Sequence, residues 1–179
     1  MRVLGLSGSL RAGSYNTMLL RAAGELLPAG AELVRFDRLA EVPPFDEDHE
    51  ATPALVVREL RAAAAASDAV LVATPEYNGS LPGQLKTALD WLSRPYGEGA
   101  LRGKPVAVVG ASTGLFGAVW AQADARRVLG VMGARVDERE LAVGSAAQAF
   151  DLRGRLRDAA QREALRAIVL DLVRVGVAA

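Results

Sequence analysis

The chain has 179 residues, of which 51% are apolar, a size and composition that suit one domain around a well-buried core and exclude a disordered segment. Its 21 basic and 21 acidic side chains cancel, so no overall field draws it to nucleic acid or an anionic membrane, and any anion site has to be local. Cysteine is absent, which removes disulfides, thiolate nucleophiles and thiol metal sites together, and no apolar run reaches the length of a signal segment or a membrane span. These features predict a cytoplasmic protein with no membrane or nucleic-acid partner.

Short β-rich runs alternate with longer segments of helical period. Val3 to Leu6 is a compact apolar strand ending in Ser7-Gly8, and Leu19, Ala22, Ala23, Leu26 and Leu27 follow at helical spacing. Pro28-Ala29-Gly30 stops that helix, 32–36 reads as a second strand, and a polar loop with prolines runs to about Ala51. Thr52-Pro53 predicts the next helix start, as cap and first helical residue, with Leu55, Val56, Leu60, Ala63 and Ala64 facing inward. Residues 69–73 form a continuous apolar run, the pattern of a parallel strand buried on both faces. Pro82 then opens a helix carrying Leu85, Ala88, Leu89 and Leu92, and 105–109 is another buried strand. A helix with Ala118, Ala121, Ala125, Val128 and Leu129 comes next, then a fifth strand between Ala134 and Val143. The last helix starts near Asp158, where Asp-Ala-Ala-Gln resembles a capping box.

Strands alternating with helices, without a repeat period, predict an α/β fold of a single domain over 1–179: a five-stranded parallel sheet with helices on both faces. Ligands of such sheets sit beyond the carboxyl ends of the strands, so the loops after strands one, three and four are the candidate site.

After strand one, Ser7-Gly8-Ser9-Leu10-Arg11-Ala12-Gly13-Ser14-Tyr15-Asn16 leads into a helix. A helix N-terminus offers unpaired N–H groups and the positive end of a dipole, Gly8 and Gly13 let the backbone bend, and Ser9, Ser14, Asn16 and Arg11 add donors and charge. No Gly-Lys-Ser/Thr follows and the dinucleotide Gly-x-Gly-x-x-Gly is missing, so the stretch suits one terminal phosphate, or else an ordinary serine-capped turn. After strand three, Thr74-Pro75-Glu76-Tyr77-Asn78-Gly79-Ser80-Leu81-Pro82-Gly83 is a rigid turn that suits the wall of a ring-binding pocket. After strand four, Gly110-Ala111-Ser112-Thr113-Gly114-Leu115-Phe116-Gly117 precedes a helix, placing amides and a dipole end beside the same edge.

The Gly-Ser-Leu-Arg-x-Gly-Ser-x-Asn stretch, the Pro-Glu-Tyr-Asn-Gly-Ser-x-Pro-Gly-x-Leu-Lys-x-Ala-x-Asp-Trp stretch at 75–91 and the glycine-rich third loop resemble the NADPH-dependent FMN reductase family, which includes quinone, chromate and azo-dye reductases. The resemblance covers about residues 2–175 and implies a flavodoxin-like sheet of strand order 2-1-3-4-5. It implies FMN held at its phosphate by Ser9, Arg11, Ser14 and Asn16, with Tyr15 also a cofactor-binding residue, the ring against Pro75, Glu76, Tyr77, Asn78 and Gly79 and its pyrimidine edge near Ser112, Thr113, Gly114 and Gly117. NADPH or NADH is then the co-substrate, a quinone-like molecule the acceptor, and a homodimer or homotetramer the assembly. The third loop departs from the family's pattern, with Ala118 where many relatives have a second glycine and no arginine near Trp120, which weakens the case for an anionic acceptor such as chromate.

Flavin chemistry needs no side-chain nucleophile, so no catalytic residue and no metal are expected. His49 lies in a polar loop, Asp46, Glu47 and Asp48 lack recognisable ligand spacing, and Glu76 has no partner that would make it a general base. A flavodoxin-type electron carrier is the competing reading. Such carriers are strongly acidic, and the balanced charge weighs against it.

Overall fold

A computed structural model describes residues 1–177. The sheet is parallel in the order β2-β1-β3-β4-β5, with β1 Arg2–Ser7, β2 Glu32–Arg35, β3 Ala69–Thr74, β4 Pro105–Ala111 and β5 Arg135–Val136. β3 and β4 are buried along their whole length, as their unbroken apolar runs require.

Side chains alternate across a strand, and here that alternation builds two cores. Val70 and Val72 of β3, with Val106 and Val108 of β4, face α2 (Leu55–Ala65), α3 (Gly83–Leu92) and α4 (Val119–Val131). Leu71, Ala73, Ala107 and Val109 face the opposite layer, α1 (Tyr15–Glu25) and α6 (Ala159–Val177). The architecture is the flavodoxin-like three-layer sandwich.

Three local expectations change. The fifth strand is split into β5 and β6 (Ala142–Val143), both paired with β4. Asp137, Glu138, Arg139 and Glu140 fill the gap, and such a charged run costs too much to bury in a sheet layer. Instead Arg139 pairs with Asp137 and with Asp171 of α6. A short helix α5 (Ala146–Ala149) is added after β6. α2 begins at Leu55, not at Thr52-Pro53; Ala54 is its cap and no side chain caps it. Val56, Val57 and Leu60 must reach the core, and that burial sets the helix start, leaving Leu55 exposed. Trp91 at the end of α3 is 1% exposed. Its indole N–H donates to the Pro43 carbonyl at 2.9 Å and Phe45 packs edge-on against its ring, while Tyr96 nearby in the chain is exposed.

The capping expectation for α6 holds: Asp158 Oδ1 accepts from the Gln161 N–H at 2.8 Å. Asp158→Ala removes that acceptor and should cost about 1 kcal/mol. In thermal unfolding it should lower Tm by roughly 2–4 °C, and an unchanged Tm would show that the cap contributes nothing.

Candidate functional site

The carboxyl ends of β1, β3 and β4 open on one edge of the sheet, and the loops at 8–14, 75–82 and 112–118 meet there. In the first, Ser14 caps α1, its hydroxyl accepting from the Thr17 N–H at 3.2 Å. Among the described residues, none of the backbone N–H groups from Ser9 through Asn16 donates to another protein atom. A run of unspent donors at a helix N-terminus is a cradle for an anion. Arg11 is exposed; its guanidinium donates to the Gly13 carbonyl and lies 4.9 Å from the centroid of the Tyr15 ring, which itself stacks on Phe150.

Asn16 is 2% exposed, and its amide is spent on β4: Nδ2 donates to the Ala111 carbonyl and Oδ1 accepts from the Ala111 N–H, both at 2.9 Å. Its side chain is therefore a brace between the first and third loops, and what it offers an anion is its backbone N–H. Ser9 stays partly exposed beside it.

In the second loop Asn78 and Gly79 both have positive φ, 53° and 75°, and Tyr77 and Ser80 exchange backbone hydrogen bonds across them. That two-residue turn demands left-handed geometry at both positions, which Asn-Gly supplies at little cost. It leaves Tyr77 55% exposed at the edge of the site. Glu76 turns to the third wall: its Oε2 accepts from the N–H groups of Trp120 and Ala121, at 3.1 and 3.2 Å. The dipole end of α4 that the sequence offers to a ligand is thus already met by a carboxylate. Ser80 reinforces the joint by donating to Asp124 of α4, and this hydroxyl, with the Arg127 guanidinium, holds the Asp124 carboxyl below its usual value.

The third loop is shaped by close approach. Gly117 has φ 58°, and a Cβ there would lie 2.4 Å from the Ala142 carbonyl carbon; one on Gly144 would lie 2.2 Å from the Leu115 oxygen. The loop packs directly on β6, with the Ser112 N–H donating to the Val143 carbonyl at 3.0 Å. Ala118 follows at φ 64°, the left-handed region where an alanine is strained. Sequence reasoning passes over Gln122, whose only signal is a lone amide in an alanine-rich helix. It is wholly buried and donates to the Gly117 carbonyl at 3.1 Å, supporting the loop from below.

The site fits a flavin by its donors. Among the described residues the backbone N–H groups of Glu76, Asn78, Gly79, Thr113, Leu115, Phe116 and Gly117 make no internal hydrogen bond, while a flavin ring edge carries carbonyl and ring-nitrogen acceptors. Residues expected elsewhere to do no chemistry are placed outside it: His49 is exposed and bonded to Asp46, and Glu47 pairs with Arg94.

An anion cradle flanked by two loops with unspent backbone donors, at the carboxyl edge of a flavodoxin-like sheet, has the layout of a flavodoxin-fold oxidoreductase. The family model described as NADPH-dependent FMN reductase matches residues 1–148, and the chain belongs to that family. It is 43% identical over 170 residues to an NAD(P)H-dependent FMN reductase of Pseudomonas aeruginosa, covering 93% of this chain and 90% of the relative. It is 37% identical over 151 residues to a quinone reductase of Escherichia coli strain K12, covering 83% and 79%. The structure of FerB, a flavoenzyme NAD(P)H:(acceptor) oxidoreductase from Paracoccus denitrificans, superposes with a TM-score of 0.89 at 33% identity, over 99% of this chain and 97% of that one. A flavodoxin variant from Pseudomonas aeruginosa, at 21% identity and a TM-score of 0.60, shares the fold alone.

Two substitutions probe this geometry. Ala118→Gly relieves the left-handed strain and should stabilise the protein by about 1 kcal/mol; the check is a Tm rise of roughly 2–4 °C in thermal unfolding. Asn16→Leu fills the same space but leaves the buried N–H and carbonyl of Ala111 unpaired, at about 1–3 kcal/mol for each group. Denaturant unfolding should show a marked fall in midpoint, and a wild-type midpoint would mean the brace is dispensable.

Proposed function

We propose that the protein is a cytoplasmic FMN-dependent NAD(P)H oxidoreductase that passes hydride to a quinone-like acceptor, built as a single domain over 1–179. The observation that carries this reading is the set of unspent backbone donors on three loops at one sheet edge, with the exposed Tyr77 side chain beside them. Bound FMN supplies the hydride chemistry, accepting from NAD(P)H and donating to the acceptor.

The chain's part is to bind, orient and exclude. The N–H groups from Ser9 through Asn16, with the Ser9 hydroxyl and the Arg11 guanidinium, hold the phosphate; Arg11 has to leave the Gly13 carbonyl to do so. The turn at 75–79 flanks the ring on one side and 112–117 on the other, and Glu76 and Ser80 fix the spacing of those walls through α4. No side chain is needed as an acid or base.

Relatives that bear the names of FMN reductases and quinone reductases favour an enzyme over an electron carrier, as does the zero net charge. The acceptor class rests on those quinone reductases. A homodimer or homotetramer is supported by apolar side chains left open on the third loop and the start of α4: Leu115 is 82% exposed, Phe116 63% and Trp120 51%, the last two packed edge to face.

The purified protein should be yellow, release FMN on heating, bleach anaerobically with NAD(P)H and regain colour on adding a quinone. Colourless protein that takes up no FMN overturns the reading, and yellow protein that NAD(P)H cannot bleach makes it a carrier. Arg11→Ala should weaken FMN binding about tenfold while leaving riboflavin, which has no phosphate, unaffected, measured by flavin fluorescence titration.

A further inference from the structure

Beside the phosphate loop, on the side away from the flavin walls, lies a cavity of about 320 Å³. It is framed by the loop at 9–12, the second turn of α1 and the chain leaving β2, and β2 stands on the opposite side of β1 from β3. Three arginines line it, Arg11, Arg21 and Arg35, against one acidic residue, Asp37, which is paired with Arg35. Arg21 is exposed and has no carboxylate partner among the described residues. Like charges drawn around one hollow repel unless an anion sits among them.

The flavin takes only one phosphate, and the donors from Ser9 through Asn16 already serve it. Arg21 and Arg35 reach the hollow from outside that loop. The co-substrate supplies the remaining anion chemistry: its nicotinamide has to meet the ring, the rest extends beyond the cleft, and NADPH differs from NADH by a single phosphomonoester at its adenosine end. Planar, permanently charged guanidiniums are suited to a phosphomonoester, which they can grip through two hydrogen bonds at once.

We propose that this cavity is a phosphomonoester site that receives the 2′-phosphate of NADPH, that Arg21 and Arg35 hold it, and that the protein therefore prefers NADPH to NADH. The inference rests on the flavin reading above. Arg35 turns to the phosphate by giving up part of its pairing with Asp37, an exposed pair whose loss costs little.

The test compares wild type with Arg21→Ala and Arg35→Ala in two readouts. In the first, adenosine 2′,5′-bisphosphate and adenosine 5′-monophosphate are titrated by calorimetry into FMN-loaded protein; the bisphosphate should bind wild type about tenfold more tightly, and each variant should erase that advantage. In the second, the ratio of kcat/KM for NADPH over NADH should fall about tenfold in each variant. Equal binding of the two nucleotides to wild type, or a ratio unchanged in both variants, overturns the proposal. So does a loss of FMN affinity with riboflavin affinity intact, since the arginines would then belong to the flavin's own phosphate. Failure of wild type to bind FMN at all is a different result, which overturns the flavin reading itself.

Discussion

The site depends on one buried side chain, Asn16, which spans from the first turn of α1 to Ala111 at the end of β4. β3 lies between β1 and β4 in the sheet, so this pair of hydrogen bonds crosses over its carboxyl end. The crossing fixes how far the phosphate cradle stands from the third loop. It also explains why a polar residue is tolerated in so buried a place: Ala111 lies one residue beyond the last pair of the β3–β4 ladder, so on that side both its polar groups need partners. A hydrophobic residue would bury as well and leave the two loops independent of each other. The brace thus turns a generic helix start and a generic strand end into one rigid frame of defined span.

The second and third loops are joined by a different device. Glu76 reaches the first-turn N–H groups of α4 and Ser80 reaches Asp124 one turn further, so the wall formed by 75–80 is fastened to the helix that carries the other wall. The carboxylate is itself steadied by the helix dipole. One consequence is electrostatic. The positive end of α4 is compensated before any ligand arrives, so charge developing on a ring bound here would fall to the individual amides of Thr113, Leu115, Phe116 and Gly117 and not to the helix as a whole. The third loop can hold those amides outward only because Gly117 and Gly144 let it lie directly on β6, where any side chain would collide with backbone. Ala118, strained at the next position, follows from that path: the chain must turn through left-handed geometry to enter α4, whatever residue stands there.

The large-scale fold was legible because hydrophobic periodicity is a property of the core, and the core decides sheet order. Unbroken apolar runs at 69–73 and 105–109 could only be central parallel strands, and the crossover helices followed. Legibility failed where a boundary answers to burial more than to local chemistry. Thr52-Pro53 has the right residues for a helix start, yet the helix waits for Val56 and Val57 to meet the sheet. Trp91 directly follows the half-buried Asp90 in sequence, and only the fold of 43–45 over it shows that it is core. The division of the fifth strand was visible in principle, since 137–140 are all charged. In the site, residue types were readable and their partners were not. Asn16 and Glu76 looked like groups waiting for a ligand, and each is engaged with a residue distant in sequence.

Those engagements sort the site's donors by what they are free to do. Side chains are bound into the frame, Asn16 and Gln122 by buried hydrogen bonds whose loss would strand buried polar groups, Ser14 and Glu76 by half-buried bonds to helix-start N–H groups. What remains for a ligand is backbone N–H and a small number of mobile cations. Backbone donors are preorganised and cost no side-chain entropy on binding, so they suit a resident group that must be held in one pose. Exposed arginines are different: their long side chains keep their freedom until an anion arrives, and their grip is weaker and easier to release. A tightly held ring beside a loosely held, exchanging nucleotide is the arrangement a two-substrate oxidoreductase needs, and here the two kinds of donor lie on opposite sides of the same loop.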